Sequence, residues 1–261
     1  MATYLDRILL RHREVAAADT RPLDDLAQRA SAMPPTRPFV ASIQAAVEAG
    51  ELAVISEIKR RSPSKGELNI ELDPAEMAAA YALGGASAMS VLTDEEFFGG
   101  SVADLRAARA ATSLPVLRKD FTVCRHDVCD ARLMGADCVL LIAAALSAEE
   151  LRDLHQLADE IGIAVLVEIH DEPELESALG ANASLIGVNQ RDLVTFQVDH
   201  DRAVRMAAVI PDHVTKVAES GVRGGQDARA LQDAGYHAVL VGETLVTAAD
   251  PAAALRDLRG V

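Results

Sequence analysis

Short apolar runs rich in β-branched residues recur along the chain, and alanine-rich amphipathic segments separate them. The runs cover residues 53–58, 88–92, 115–119, 138–142, 164–169, 184–189, 214–219 and 238–242. Runs of this length and composition are typical of strands buried on both faces. The segments between them begin with helix-start residues, such as Asp73-Pro74 or Ser147 with Glu150, and end near glycines such as Gly135. The pattern therefore predicts strands that alternate with helices.

Strand and helix alternate eight times in this pattern, which predicts a parallel sheet of the α/β class. For about 250 residues the natural closed form is a (β/α)8 TIM barrel. A doubly wound open sheet is the alternative, but residues 60–66, after the first strand, carry neither a GxGxxG nor a Walker pattern. Further helices are predicted ahead of that strand, at 3–17, 22–31 and 39–49. We expect residues 1–261 to form one domain, with 1–50 as an N-terminal helical extension packed on the barrel.

Composition narrows the range of partners and of locations. Forty acidic residues against 25 lysines and arginines give a formal net charge of −15, which disfavours nucleic acid and anionic membranes as partners. The negative net charge does not exclude a small anionic substrate, because a local cluster of basic residues can make one pocket positive. No apolar stretch is long enough for a bilayer and the N-terminus does not resemble a signal peptide, so we expect a cytoplasmic location. The three cysteines form no CxxC pair and the histidines show no ligand spacing, so we expect reduced thiols and no metal.

The first predicted strand ends in two opposite charges. Glu57 and Lys59 are two residues apart, so their side chains share one face of an extended chain. A buried unpaired charge is costly. The pair is therefore either a structural salt bridge or part of an active site.

Other predicted strands also end in candidate site residues, most of them polar or charged. The third ends in Lys119 and Phe121, the fifth in Glu168, the sixth in Asn189 and Arg191, and the seventh in Glu219-Ser220-Gly221. If Leu117, Leu166 and Val217 face the barrel interior, strand parity places the charged groups there too. Active sites of (β/α)8 enzymes lie at the carboxyl ends of the strands. The convergence of three bases and three acids therefore predicts a catalytic site.

Glycines follow the last two predicted strands, at Gly221 and Gly242. Barrels of this kind often bind phosphate there through backbone N–H groups, so the two glycines are candidates for a phosphate site. Lys216 has the opposite strand parity and is expected to face the helix layer. Arg60 and Arg61 are expected in a solvated loop, and His170 is the histidine that shares a face with Glu168.

Several short motifs follow one another in a defined order. They are Glu57-Ile58-Lys59 with Ser62-Pro63-Ser64-Lys65-Gly66, Thr93 with Phe97-Phe98 and Gly100-Ser101, Leu117-Arg118-Lys119-Asp120-Phe121, Gly135-Ala136-Asp137 before Leu140-Leu141-Ile142, Val167-Glu168-Ile169, Gly187-Val188-Asn189 with Arg191-Asp192-Leu193, and Val217-Ala218-Glu219-Ser220-Gly221. In this order the motifs resemble the indole-3-glycerol phosphate synthase family of tryptophan biosynthesis. The likeness runs from about Phe39 to the C-terminus, and the N-terminal helices fit the extension which that family carries.

The resemblance implies a reaction without a cofactor. The family converts 1-(2-carboxyphenylamino)-1-deoxyribulose 5-phosphate into indole-3-glycerol phosphate, CO₂ and water by ring closure, decarboxylation and dehydration. It implies that Lys119 is the general acid of ring closure, with a pKa that we expect neighbouring cations to depress. Glu168 is implied to remove a proton during dehydration or to stabilise the cationic intermediate. Glu57 and Lys59 resemble a second acid–base pair, in which Lys59 also reaches phosphate; which lysine protonates the leaving hydroxyl stays open.

The resemblance also implies how the substrate is held. The groups that orient it are implied to be Asn189, Arg191, Glu219 and Ser220, and Ser62 also belongs to the substrate-binding set. The apolar wall for the anthranilate ring is implied to consist of Phe98, Phe121 and Leu140. The phosphate site is implied to consist of Lys59, Gly221, Gly242 and the backbone of Glu243. Two positions depart from the family's pattern. Glu243 replaces a frequent serine, and its carboxylate must turn away from phosphate. Gln190 replaces Asn or Ser, and its parity suggests little effect on the site.

Two alternative functions are compatible with the same residues. One is another phosphate-binding barrel enzyme, such as a Schiff-base aldolase that uses Lys59 or Lys119. The other is a catalytically silent barrel that binds a phosphorylated metabolite. Contact with other enzymes of tryptophan biosynthesis is left open by the sequence.

Overall fold

Eight parallel strands close into a barrel in the computed structural model, which describes residues 3–63, 65–192 and 194–260. The strands are β1 (Ala53–Ile58), β2 (Ala88–Leu92), β3 (Val116–Lys119), β4 (Cys138–Ile142), β5 (Ala164–Ile169), β6 (Leu185–Asn189), β7 (Thr215–Glu219) and β8 (Ala238–Val241). Each strand pairs with its neighbours in chain order, and β1 closes the barrel against β8. The predicted (β/α)8 barrel is confirmed, and the open sheet is excluded. Ser64 and Leu193, quoted within the motifs above, lie outside the described residues.

Helices precede the barrel and surround it. They are α1 (Tyr4–Ala18), α2 (Leu23–Ser31), α3 (Phe39–Glu48), α4 (Pro74–Gly84), α5 (Glu95–Phe98), α6 (Val102–Ala111), α7 (Arg125–Met134), α8 (Ala148–Glu160), α9 (Glu172–Gly180), α10 (His200–Ala207), α11 (Gly225–Asp233), α12 (Glu243–Val246) and α13 (Pro251–Arg259). Their starts follow the chemistry seen in the sequence: Asp73 caps α4, and Ser147 with Glu150 forms a capping box on α8. Among the described residues, none of these helices is both long and apolar enough to cross a bilayer.

The core divides into two layers because side chains alternate along each strand. One set of strand residues, among them Ile55, Leu117 and Leu166, packs inside the barrel. The alternate set, among them Val54 and Val167, packs against the surrounding helices. Continuing the inward set by two positions leads from Leu117 to Lys119 and from Leu166 to Glu168, so parity carries charged side chains into the barrel mouth.

The three helices ahead of β1 contact the barrel at different places. Phe39 and Ile43 of α3 are buried within the interior cluster, and α3 ends shortly before β1 begins, so α3 covers the amino-terminal end of the barrel. Helix α2 packs on α7. Helix α1 contacts the opposite end, where Arg13 donates to Glu150 and to the carbonyl of Ala145.

The arginines that follow β1 are held by protein groups, which corrects the expectation of a solvated loop. Nη2 of Arg60 donates to Oδ1 of Asp104 at 3.1 Å. Arg61 donates to the carbonyl of Glu95 at 2.8 Å. These contacts fasten the segment after β1 to α5 and α6. Lys216 does face the helix layer, where its Nζ donates to the carbonyl of Ala207 at 3.0 Å.

Candidate active site

A cavity of about 520 Å³ opens at the carboxyl ends of the barrel strands. Every residue predicted for the site lines it. These residues are Glu57, Lys59, Ser62, Phe98, Lys119, Phe121, Leu140, Glu168, Asn189, Arg191, Glu219, Ser220, Gly221, Gly242 and Glu243. Strand parity explains why the residues on the strands meet in this cavity, because each of them follows the inward-facing residues of its own strand.

Lys119 lies at the centre of the charged part of this cavity. Its Nζ is 2.9 Å from Oε2 of Glu168 and 3.7 Å from Oε2 of Glu219. Burial lowers the pKa of Lys119, but the carboxylates, Glu168 foremost, outweigh burial and raise the pKa above its ordinary value. The expectation that neighbouring cations depress this pKa is therefore wrong, because the charged groups that reach Nζ are acids. Lys119 is held as an ammonium.

The two glutamates that share this ammonium differ in charge. Burial opposes ionisation of Glu168, but Lys119 and Nδ2 of Asn189, which donates to Oε1 at 3.0 Å, keep its pKa below the usual range. Burial and the charge of Glu168 raise the pKa of Glu219 above its usual range. Near neutral pH the pair therefore favours one carboxylate, Glu168, and one carboxylic acid, Glu219.

His170 lies behind Glu168 at the end of β5. Its Nε2 is 3.9 Å from Oε1 of Glu168, and its Nδ1 is 3.0 Å from Oε2 of Glu174. Burial lowers the pKa of His170, but the two carboxylates outweigh burial and raise the pKa above its ordinary value. A protonated imidazole here adds positive potential that helps to keep Glu168 ionised.

Two glycines make room for the acids of the mouth. A Cβ at Gly187 would collide with Oε1 of Glu219, and a Cβ at Gly242 would collide with Oε1 of Glu57. The Glu57 oxygen lies 2.5 Å from Nζ of Lys59, so this ion pair passes directly over the end of β8. A Cβ at position 242 would displace the Glu57 carboxylate, so Gly242 leaves room for this ion pair in addition to any role of its backbone.

The turn after β7 has an unusual backbone. Ser220 has a φ of 68° and Gly221 a φ of 77°, so two successive residues are left-handed. The left-handed region is strained for serine and needs support from its surroundings. Nε2 of Gln190 supplies it by donating to the Ser220 carbonyl at 2.7 Å. Gln190 does point out of the barrel, but the expectation that it has little effect on the site overlooked this contact.

One side of the cavity is apolar. The ring centroids of Phe98 and Phe121 are 6.2 Å apart, and the nearly buried Leu140 also lines the cavity. Phe98 is on the short helix α5, whose start is capped by Asp94 through a hydrogen bond from the Phe97 N–H at 2.6 Å. The cavity therefore offers an apolar wall beside a charged centre, which suits a ligand with an aromatic ring and anionic groups.

Comparison with known protein families shows to which family this barrel and its cavity residues belong. The model of the family described as indole-3-glycerol phosphate synthase matches residues 5–258. The chain belongs to the indole-3-glycerol phosphate synthase family. The match includes the N-terminal helices, which the motifs alone did not reach.

The chain is also similar in sequence to individual members of the indole-3-glycerol phosphate synthase family. The chain is 52% identical over 237 residues to the indole-3-glycerol phosphate synthase of Streptomyces griseus subsp. griseus, covering 90% of this chain and 86% of the relative. It is 44% identical over 262 residues to that of Polaromonas naphthalenivorans, covering 100% of both chains.

Solved structures that resemble the chain at low identity support the fold alone. The 3-hexulose-6-phosphate synthase of Salmonella typhimurium superimposes with a TM-score of 0.63 at 16% identity, covering 80% of this chain and 97% of that one. The thiamine phosphate pyrophosphorylase of Pyrococcus furiosus gives a TM-score of 0.60 at 16% identity, covering 80% and 94%.

Glu243 is a position where the chain departs from the pattern recognised for the indole-3-glycerol phosphate synthase family. It is the first residue of α12, its side chain is 44% exposed, and Oε1 lies 3.5 Å from Nζ of Lys65. The carboxylate thus pairs with a lysine of the segment after β1, the strand that neighbours β8 in the barrel. This pairing offsets its charge at the end of the cavity that holds Gly221 and Gly242.

Some cavity residues were not anticipated from the sequence. Phe196, Val198 and His200 come from the segment after β6 and line the mouth. Arg191 holds this segment, since its Nη1 donates to the Phe196 carbonyl at 3.0 Å and its backbone pairs with Val198. Strand-end parity could not find these residues, because they lie well beyond the strand.

Three side chains near the rim have the donor types of a metal site. Among the described residues, His12, Asp94 and Asp120 each offer a ligand atom within 4.8 Å of the others. Their atoms already have partners, since His12 contacts Asp94, and Asp120 accepts from Arg118 at 3.0 Å. A guanidinium beside Asp120 competes with a cation, so the arrangement fits an ion-pair network better than a metal centre.

Proposed function

We propose that the barrel mouth carries out the reaction of the indole-3-glycerol phosphate synthase family through the residues described above. As a member of that family, the chain is a carboxy-lyase of tryptophan biosynthesis. Its substrate is then 1-(2-carboxyphenylamino)-1-deoxyribulose 5-phosphate, a small phosphorylated anion, and its products are indole-3-glycerol phosphate, CO₂ and water. The observation that carries the assignment of roles is the Lys119 ammonium, held between Glu168 and Glu219 beside an apolar wall.

Lys119 is proposed as the general acid of ring closure. When the ring carbon that bears the carboxylate attacks the ribulose carbonyl carbon, the carbonyl oxygen gains the electron pair and becomes strongly basic. An ammonium with a raised pKa still transfers its proton to such an oxygen, because the alkoxide that forms is the stronger base. Loss of CO₂ then returns the electron pair of the broken C–C bond to the ring.

Glu168 is proposed as the base of dehydration. The hydroxyl formed in ring closure leaves as water after it receives a proton, and the resulting cation loses a proton to form the aromatic five-membered ring of the indole. Glu168 is the ionised carboxylate next to Lys119, so it is suited to stabilise that cation and to accept its proton. Lys59, paired with Glu57, also lines the cavity and is the alternative donor to the leaving hydroxyl.

The substrate is proposed to lie across the cavity with its two anionic ends apart. Phe98, Phe121 and Leu140 would contact the anthranilate ring. The phosphate would lie at Gly221, Gly242 and the backbone of Glu243, within reach of Lys59. Asn189, Arg191, Glu219, Ser220 and Ser62 would orient the substrate or the catalytic groups. We place this metabolic reaction in the cytoplasm, without nucleic acid or membrane as a partner, consistent with the net charge of −15.

Formation of indole-3-glycerol phosphate by the purified protein tests the proposal. The expected result is an increase of indole fluorescence on addition of the named substrate, without added metal, nucleotide or other cofactor. The chain contains no tryptophan, so the protein itself adds no indole signal. Absence of turnover by a folded sample would overturn the proposed function.

The same sample separates the two alternatives. A Schiff-base enzyme would be trapped on Lys59 or Lys119 by borohydride in the presence of a carbonyl substrate, which peptide mass spectrometry would locate. A catalytically silent barrel would bind the substrate without product formation. The acids and bases of the mouth are present together with the glycines after β7 and β8, which favours the synthase over the silent barrel. The family match favours the synthase over a Schiff-base enzyme.

A further inference from the structure

His12 of α1 reaches from the N-terminal extension to the rim of the cavity. Its Nε2 lies 3.0 Å from Oδ2 of Asp94 and 3.8 Å from Oδ1 of Asp120. Its ring centroid is 5.5 Å from that of Phe121, at an interplanar angle of 40°. The His12 side chain is only 19% exposed, so the contact is enclosed. This histidine therefore joins the extension to the apolar wall.

The two carboxylates that meet His12 also hold the backbone of that wall. Oδ1 of Asp94 accepts the N–H of Phe98 at 3.2 Å. Oδ1 of Asp120 accepts the N–H of Phe121 at 2.8 Å. A shift of either carboxylate is thus transmitted to a ring that lines the cavity.

The charges around His12 make this arrangement sensitive to its protonation. Asp94 ahead of α5, Asp120 after β3 and Asp127 of α7 act on the imidazole, and Arg118 is bonded to Asp120 at 3.0 Å. Burial lowers the pKa of His12, but the hydrogen bond to Asp94 and the charge of Asp120 outweigh burial and raise the pKa above its ordinary value. An imidazolium attracts both carboxylates, whereas a neutral imidazole leaves them to repel each other.

We propose that protonated His12 is a positioning residue, which holds Phe98 and Phe121 in place as the wall for the aromatic ring of the substrate. Only the identity of that ring rests on the proposed function. His12 has no contact with Lys119 or Glu168, so its charge affects substrate binding and leaves the chemical steps unchanged. The effect is present at low pH and is lost as the pH rises through the raised pKa of His12.

Two substitutions separate the charge of His12 from its bulk. His12→Gln is neutral at every pH, and His12→Lys stays charged across the range in which histidine titrates. At about pH 6 we expect His12→Gln to raise KM about three- to tenfold over the unchanged protein, with kcat changed less than about twofold. As the pH rises to about 9, this difference should disappear. His12→Lys should keep the low KM over the whole range.

The matched control is Arg11→Gln. Arg11 lies beside His12 on α1 and pairs with Glu96 at 3.3 Å, but both side chains of that pair are more than half exposed. We expect this variant to leave KM and its pH profile unchanged. Arg13, on the same helix, faces Glu150 and is left intact. Far-UV circular dichroism and thermal unfolding of each variant verify that α1 stays folded.

A second measurement does not depend on turnover. Binding of anthranilate, observed through the fluorescence of the ligand in a protein without tryptophan, reports on the wall alone, and proton NMR of the His12 imidazole gives its titration. Weaker binding in His12→Gln, with a pH dependence in the unchanged protein that follows this titration, supports the proposal even if the named substrate is not turned over. Equal KM and equal anthranilate affinity for the three proteins at low pH would overturn it, as would a loss of kcat at unchanged KM.

Discussion

The charged centre of the mouth combines an ammonium with two glutamates whose pKa values are shifted in opposite directions. Lys119 contacts Glu168 and Glu219, while Asn189 and His170 bias the charge toward Glu168. Because the ammonium is stabilised in the resting site, proton transfer waits until a strong base develops on the substrate oxygen. The arrangement therefore links the proton step to carbon–carbon bond formation.

Replacement of Lys119 tests this link at the residue scale. Lys119→Met keeps most of the side-chain length but removes the proton and the charge, and we expect kcat to fall by at least about 10²-fold. Single-turnover kinetics with saturating substrate would measure the loss in the chemical steps.

Lys216→Met is the control for Lys119→Met. Lys216 is a buried lysine that, like Lys119, is held by protein groups, but it faces the helix layer and donates to the Ala207 carbonyl. We expect it to lower thermal stability while kcat per folded molecule stays within about twofold. A near-normal kcat for folded Lys119→Met would contradict the acid role.

Helix α3 is the element that covers the end of the barrel opposite to the active site. Phe39 is 1% exposed and Ile43 is 0% exposed, and both pack with the first inward residues of the strands, such as Ala53 and Ala88. Their burial removes apolar surface from water at the one end of the barrel that carries no chemistry. Stability and catalysis are thus assigned to different ends.

Phe39→Ala tests this division at the scale of the element. We expect the free energy of unfolding to fall by about 3–5 kcal/mol, because the change leaves a cavity in the interior cluster. Urea denaturation would measure it. Val47→Ala, on the same helix but 37% exposed, should change the free energy by less than about 0.5 kcal/mol. A lower kcat per folded molecule in Phe39→Ala would show that the two ends are coupled.

At the scale of the whole molecule, the extension contacts both ends of the barrel. Helix α3 packs at the amino-terminal end, and α1 reaches the mouth through His12 and Arg13. Tyr4 of α1 also contacts Phe97 and Phe196, with ring centroids 5.8 and 5.7 Å away. We propose that residues 1–261 are one domain, of which 1–50 is the extension.

Thermal unfolding followed by two probes tests whether extension and barrel are one unit. The difference in tyrosine fluorescence between the unchanged protein and Tyr4→Phe reports on α1, while far-UV circular dichroism reports mainly on the barrel. We expect both signals to change in one transition with the same midpoint, since the contacts of α1 and α3 would be lost together. An earlier transition of the Tyr4 signal would contradict the single-domain proposal.

Much of the fold and of the candidate site could be predicted from the sequence, because apolar positions and side-chain directions repeat along the chain with fixed periods. The alternation of apolar runs and amphipathic segments predicts the barrel, and the period of two along a strand places Glu57, Lys119 and Glu168 on one inward face. These inferences need only neighbours along the chain, so the closed barrel agrees with them closely.

Only the tertiary structure decided the pKa shifts and supporting contacts that involve residues from distant parts of the chain. The carboxylates of Glu168 and Glu219 come to Lys119 from other strands, and they raise a pKa that the sequence suggested would be depressed. Gln190 reaches the strained turn at Ser220 across the end of β7, and His12 meets Asp94 only because α1 folds back over the mouth. Strand parity predicts the direction in which a side chain points. Its protonation state, and the contacts that hold a strained turn, depend on residues that are close in space but distant in sequence.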